Sequence, residues 1–153
     1  MFLYFAYGSN MSRRQMTERC PDHECLGTAV LKDHALCFPR HSPVRHCGVA
    51  GLAETPGAEV WGVVYRLHDG DLAALDRREG YDPAKPFHEN RYNRQTIRVL
   101  MDGCPVECLT YFARPEAGEH IPNAAYLGTM IEGAQENGLP ETYINALRVI
   151  TNF

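Results

Sequence analysis

No stretch of the chain comes near the roughly 18 consecutive apolar residues of a membrane-crossing helix. Its apolar opening, residues 2 to 7, is too short for the core of a signal peptide and has no basic segment ahead of it. A membrane partner is therefore not expected, and the cytoplasm is the expected location. Positive charge is also scarce. No basic run exceeds the pairs Arg13-Arg14 and Arg77-Arg78, and 15 Lys and Arg against 19 Asp and Glu leave a formal net charge of -4. A chain that neutralises nucleic-acid phosphates would carry a basic stripe; a small molecule is the better ligand class. Paired metal-ligand spacings are missing too. Cys20, His23 and Cys25 lie in "CPDHEC", and His41, His46 and Cys47 gather in a second segment. Neither offers the C-x2-C or H-x3-H elements of a structural zinc site, so no metal is expected. The six cysteines are scattered through strand-like segments without an export signal and are expected to be reduced thiols.

What is present suits one α+β domain spanning residues 1–153. With 44% hydrophobic and 22% charged residues, ten prolines and thirteen glycines, the chain has the composition of a turn-rich globular protein. Residues 2 to 7 read as a strand, and Ser12 with Gln15 forms a capping-box pattern opening a helix to Arg19. Residues 25 to 38 read as one long or bent strand, or a pair. "VAGLAET" and "VWGVVYRL" resemble a hairpin turning at Thr55-Pro56-Gly57. Asp69 is placed to cap a helix through Glu79, with Gly80 as its stop. "RYNRQTIRVLM" and "CPVECLTYFA" form a second hairpin turning at Asp102-Gly103. Asn123 caps a helix to about Asn137, and Pro140 opens another running to the C-terminus. Strands first and helices last favour a mixed β-barrel or strongly coiled sheet of five to seven strands with flanking helices.

The segment "FLYFAYGSNMS" poses the functional question, because a buried strand breaks abruptly at Gly8, Ser9 and Asn10. Successive backbone N–H groups there, ahead of a helix capped at Ser12, would form an anion-binding nest for a carboxylate or an oxyanion. The alternatives are an ordinary strand-to-helix turn, or Ser9 as a nucleophile in a departure from G-x-S-x-G, with Met11 in place of the second glycine. Strand alternation puts Tyr7 with Phe5 on one face and Tyr4 with Ala6 on the other, so these side chains are not expected to share one pocket.

Together, "FLYFAYGSNM" (2 to 11), "PGAEVWGVVYRL" (56 to 67), "ALDRREGY" (74 to 81) and "GAQENGLPETYINALRVI" (133 to 150) resemble the γ-glutamylcyclotransferases. The resemblance implies a mixed barrel, no metal or organic cofactor, and conversion of a γ-glutamyl amino acid to 5-oxoproline and the free amino acid. A homodimer is compatible with it. It puts the catalytic acid/base on Glu79, the substrate-binding loop on Tyr4, Phe5, Ala6, Tyr7, Gly8, Ser9 and Asn10, and further substrate contacts on Tyr92 and Tyr126. "DPAKPFHEN" makes the segment between Glu79 and Tyr92 longer than expected for the animal enzymes, which leaves the leaving amino acid open.

The chemistry asks little of the protein. The substrate's own α-amine closes the ring, so one acid/base group suffices. A glutamate near a helix C-terminus and in a partly apolar pocket should have a raised pKa, unless Glu79 is simply a solvated surface residue beside Arg77 and Arg78. Asp76, one turn earlier, is the competing carboxylate, read as a helix-surface or structural residue. Two other readings remain: a cyclotransferase for γ-glutamylamines or a γ-glutamyl-protected biosynthetic intermediate, and a γ-glutamyl-binding protein without turnover.

Overall fold

A computed structural model describes residues 1–153. Its frame is five strands: β1 (Phe2–Ala6), β2 (Glu24–Ser42), β3 (Cys47–Leu67), β4 (Tyr92–Met101) and β5 (Cys104–Ala113). They close into a barrel in the order β1-β3-β2-β4-β5. The opening strand is bulky and apolar because both its edges are covered. It pairs antiparallel with β3, from Phe2↔Leu67 to Ala6↔Val63, and parallel with β5 at Tyr4↔Leu109. One parallel contact among antiparallel ladders makes the barrel mixed.

The long segment after Cys25 is a single bent strand, with register shifts at Cys25/Gly27, Lys32/His34 and Cys37/Arg40. It runs on to Ser42, four residues past the expected end. The hairpin expected at Thr55-Pro56-Gly57 does not form. Glu54 pairs with His34 and Glu59 with Lys32, so both halves of β3 follow the same partner strand in the same direction. Pro56 has no N–H for a ladder and is accommodated in a bulge. There Gly57 takes φ 83° and donates its N–H to Asp33 Oδ1 at 3.0 Å. The β4–β5 hairpin forms as read: Asp102 and Gly103 both have positive φ, 50° and 78°, which a twisted two-residue turn requires.

Four helices surround the barrel: α1 (Arg13–Arg19), α2 (Leu72–Glu79), α3 (Ala124–Glu136) and α4 (Glu141–Arg148). Ser12 Oγ caps α1 by accepting from Gln15 N–H at 3.3 Å, and Asn123 Oδ1 caps α3 by accepting from Tyr126 N–H at 2.8 Å. A 3-10 turn over Asp69–Asp71 precedes α2, and no side chain caps it. The helix thus starts later than Asp69 suggested. Its other end is well defined: Gly80 sits at φ 69°, and Tyr81 N–H returns to the Asp76 carbonyl at 2.9 Å, a Schellman closure that only a left-handed residue permits cheaply. That closure holds Glu79 at the last helical position. α4 stops at Arg148 rather than continuing to the end of the chain.

The core is one cluster centred on Phe5, Val60, Val63, Val64, Tyr65, Leu67 and Val99, all fully buried. It joins the barrel to α3 through Met11 and Met130. Gly133 lets α3 lie directly on the Ser9–Met11 turn, since a Cβ there would stand 2.5 Å from Ser12 N and collide with the Met11 backbone. Gly133→Ala would gain about 1 kcal/mol of helix propensity. Backbone atoms cannot rotate away, however, and overpacking costs about 1–3 kcal/mol. The expected result is a net loss of stability in urea titration, opposite in sign to the change at an exposed helical glycine such as Gly128, where an added Cβ meets nothing.

Candidate active site

A cavity of about 120 Å³ lies where the end of β1, the C-termini of β2 and α2, and the start of β4 converge. Tyr4, Tyr7, Gly8, Ser9, Asn10, Glu79, Tyr92 and Tyr126 all line it. Phe5 and Ala6 do not. Phe5 is fully buried in the barrel wall, where its ring packs over Gly62 and its carbonyl accepts from Thr110 Oγ1 at 2.8 Å. The alternation expected along residues 4 to 7 fails for a local reason: β1 ends at Ala6, so Tyr7 is no longer bound to strand periodicity and reaches the same cavity as Tyr4.

Glu79 is the only acidic residue of the lining. Burial of its carboxyl raises its pKa from 4.5 to about 6, against the opposing pull of Arg19, Arg91 and Arg45, and Asp76 adds to the rise. Withdrawal from water is the main cause. Arg77 and Arg78, its neighbours in sequence, are not among the arginines that act on it most. Asp76 is buried, not on the helix surface. It pairs with Arg94 Nη1 at 2.5 Å and accepts from Tyr111 Oη at 2.6 Å, so its oxygens are committed to structure. Tyr111 in turn accepts the Tyr7 hydroxyl on its carbonyl at 2.5 Å.

The Ser9–Met11 segment is a 3-10 turn whose first bond runs from Met11 N–H to the Gly8 carbonyl at 3.2 Å. The N–H groups of Gly8, Ser9 and Asn10 therefore have no partner within the turn. Gly8 is not forced into glycine-only geometry: its φ is -108°, and a Cβ would meet Tyr126 Oη at 3.4 Å. Its small size leaves space beside that hydroxyl. The capping box is only half made, because Gln15 turns its side-chain amide away from Ser12. Its Nε2 donates to Ser9 Oγ at 2.7 Å and to Asn10 Oδ1 at 2.8 Å. Arg19 adds a bond to Asn10 Oδ1 at 2.8 Å, and Asn10 Nδ2 donates to Tyr4 Oη at 2.9 Å. Ser9 Oγ also accepts from Arg45 Nη2 at 3.3 Å. Its partners are thus cationic or amide donors, and no base stands ready to take its proton; the nucleophile reading has no support in this geometry.

Tyr92 and Tyr126 meet on one backbone unit. Tyr92 Oη donates to the Ala50 carbonyl at 2.6 Å, while Tyr126 Oη accepts from the Ala50 N–H at 3.1 Å and keeps its own proton. Burial raises Tyr126 to about 12 and pushes Tyr4, Tyr7 and Tyr92 upward as well. All remain neutral phenols. Gln15, Arg19, Arg45, Arg91 and Tyr111 were not legible in the sequence. Gln15 and Arg19 share a helix face by their i, i+4 spacing, but nothing local tied Arg45, Arg91 or Tyr111 to the loop. No three His, Cys, Asp or Glu side chains converge as a metal-ligand set, all six cysteines are free thiols, and no helix is long and apolar enough to cross a membrane.

A rim with one protonatable carboxylate, unpaired backbone donors and a surrounding positive charge is equipped to move a proton on a small anionic molecule. The fold is a closed, mixed α+β barrel with this charged cavity at the end of its first strand. The AIG2-like family matches residues 59–147. The γ-glutamylcyclotransferase of Mus musculus is 33% identical over 154 residues, covering 97% of this chain and 78% of the mouse protein. That of Bos taurus is 34% identical over 155 residues with the same coverage of 97% and 78%. A solved γ-glutamyl cyclotransferase structure superposes with a TM-score of 0.90 at 31% identity, covering 99% of this chain and 89% of that one. The chain belongs to the AIG2-like family, among its γ-glutamylcyclotransferases.

Proposed function

We propose that this enzyme converts a γ-glutamyl amino acid to 5-oxoproline and the free amino acid, with Glu79 as the acid/base. The observation that carries the proposal is a carboxyl of near-neutral pKa, raised by burial, in the cavity that also holds the Gly8–Asn10 amides. Ionised Glu79 takes a proton from the substrate's α-ammonium. The freed amine attacks the γ-carbonyl carbon, forming the ring C–N bond; as the original amide C–N bond breaks, Glu79 returns its proton to the leaving nitrogen, and the ring nitrogen's extra proton passes to the released amine, which departs as the ammonium. No covalent enzyme intermediate is needed. The unpaired amides of Gly8, Ser9 and Asn10 receive the negative part of the γ-glutamyl group, and Gln15, Arg19 and Arg45 hold that loop in shape. Holding the glutamyl chain curled supplies much of the rate, since well-aligned intramolecular attack reaches effective molarities of about 10⁵ to 10⁸ M. The free thiols support a reducing, cytosolic setting.

Release of 5-oxoproline from γ-glutamyl-alanine by the purified protein tests this reading. Release with formation of free alanine supports it; γ-glutamyl-alanine left intact while a γ-glutamylamine is consumed would move the assignment to that alternative. The base must be ionised, so kcat/KM should rise about tenfold per pH unit below about 6 and level off above it, following the pKa of Glu79.

The same shift carries a stability consequence. The folded state binds the Glu79 proton more tightly than the unfolded chain between pH 4.5 and about 6, so the stability it contributes is full below that window and lost as pH rises through it. Glu79→Gln removes the buried charge. It should gain up to about 2 kcal/mol at pH 7.5 and nothing near pH 4, as read from urea midpoints at both pH values.

A further inference from the structure

The charge of the cavity opposes that of the chain. Arg19, Arg40, Arg45, Arg78 and Arg91 line it against Glu79 alone, in a protein of net charge -4. Three of these guanidinium groups are engaged in the fold. Arg19 bonds Asn10; Arg45 donates to Gln15 Oε1 at 2.6 Å and stacks on Tyr126; Arg40, buried, donates to the Arg114 carbonyl at 2.9 Å and faces Glu116. The guanidinium groups of Arg78 and Arg91 are different: neither pairs with a carboxylate or donates to a protein acceptor.

Both line the cavity that holds the proposed acid/base, with their side chains exposed at its rim. Arg78 precedes Glu79 in the chain, and Arg91 N–H bonds the Gly80 carbonyl at 3.2 Å, with its guanidinium lying over Gly80. The leaving nitrogen must come within hydrogen-bond reach of Glu79 to collect its proton, so whatever that nitrogen carries occupies the cavity whose rim these two arginines line. Guanidinium groups match carboxylates in pairs of parallel hydrogen bonds. Two guanidinium groups free of protein partners, both on the cavity rim, can hold two carboxylates.

Building on the cyclotransferase reading, we propose that Arg78 and Arg91 select an acidic leaving residue, one taking its α-carboxylate and the other its side-chain carboxylate. The preferred substrates are γ-glutamyl dipeptides that release aspartate or glutamate. A neutral leaving amino acid satisfies one of the two arginines, and a simple amine satisfies neither.

The test is kcat/KM for γ-glutamyl-glutamate, γ-glutamyl-alanine and γ-glutamyl-ethylamine, measured on the parent protein, R78Q/R91Q and R78K/R91K. The parent should favour γ-glutamyl-glutamate over γ-glutamyl-alanine by about tenfold or more, chiefly through KM, with ethylamine poorest. That ratio should fall to near one in R78Q/R91Q and take an intermediate value in R78K/R91K. Equal or better use of γ-glutamyl-alanine by the parent would overturn the acidic preference while leaving the cyclotransferase reading intact. A preference that survives in R78Q/R91Q would overturn the assignment to these two residues. Absence of 5-oxoproline from all three compounds would instead sink the underlying reading, and this inference with it.

Discussion

Glu79→Gln should lower kcat for 5-oxoproline release by about 10²- to 10⁴-fold, the usual worth of a positioned acid/base, with substrate affinity changed only a few-fold. The amide keeps the volume of the carboxyl, and Glu79 is held by the Schellman closure at Gly80 rather than by its own side chain. Structure and binding are therefore expected to survive while proton transfer is lost. Turnover measured beside calorimetric binding separates the two. A variant that binds but does not turn over meets the expectation. A variant retaining more than a tenth of parental kcat would show that another group moves the proton, and the pH profile would then no longer follow the pKa of Glu79. The gain in stability expected for the same variant at neutral pH has the opposite sign to its loss of activity. Simple misfolding cannot produce that combination.

The second large effect concerns Asp76, three residues earlier and on the inner side of the same helix. Asp76→Ala leaves the Arg94 guanidinium and the Tyr111 hydroxyl without their partner. Removing one member of a buried ion pair costs about 3–5 kcal/mol, because the remaining charge stays desolvated and uncompensated. Asp76→Asn should cost less, since its amide oxygen still accepts from Tyr111. Urea unfolding at neutral pH reads the difference; equal losses in the two variants would mean that the charge carries the whole effect and that the bond from Tyr111 adds nothing. Asp76→Asn carries a further signature. Asp76 helps raise the pKa of Glu79, so its neutralisation should move the acid limb of the rate profile to lower pH. A purely structural role for Asp76 would lower the amplitude of that profile without shifting it.

The two carboxylates of α2 show where reading the chain stops. Both lie within four residues of Gly80 in "ALDRREG", and local pattern gives each a place on a short helix. Which one faces a cavity depends on what packs against that helix. Asp76 meets Arg94 and Tyr111 from β4 and β5, whereas Glu79, a turn later, looks toward Arg19 and Arg45 from segments more than thirty positions away along the chain. The same holds for the opening loop. Its interruption at Gly8 was visible, as was the cap at Ser12. Gln15, however, makes its bonds to Ser9 and Asn10 rather than completing the local box, because the turn before the helix is a 3-10 turn that brings those side chains within reach.

The sequence by itself determined several local features: the apolar strand that needs cover on both edges, the positive-φ turn at Asp102-Gly103, the Asn123 cap, and the glycine stop after Glu79. These depend on backbone sterics and on hydrogen bonds between near neighbours, which are the same wherever a segment lies in the fold. The tertiary structure decided three matters: that β3 is one bulged strand rather than a hairpin, that Phe5 and Ala6 belong to the wall while Tyr4 and Tyr7 share a cavity, and that five scattered arginines surround one glutamate. The physical reason is common to all three. Burial and charge act through space, and barrel closure sets which distant residues share a volume withdrawn from water.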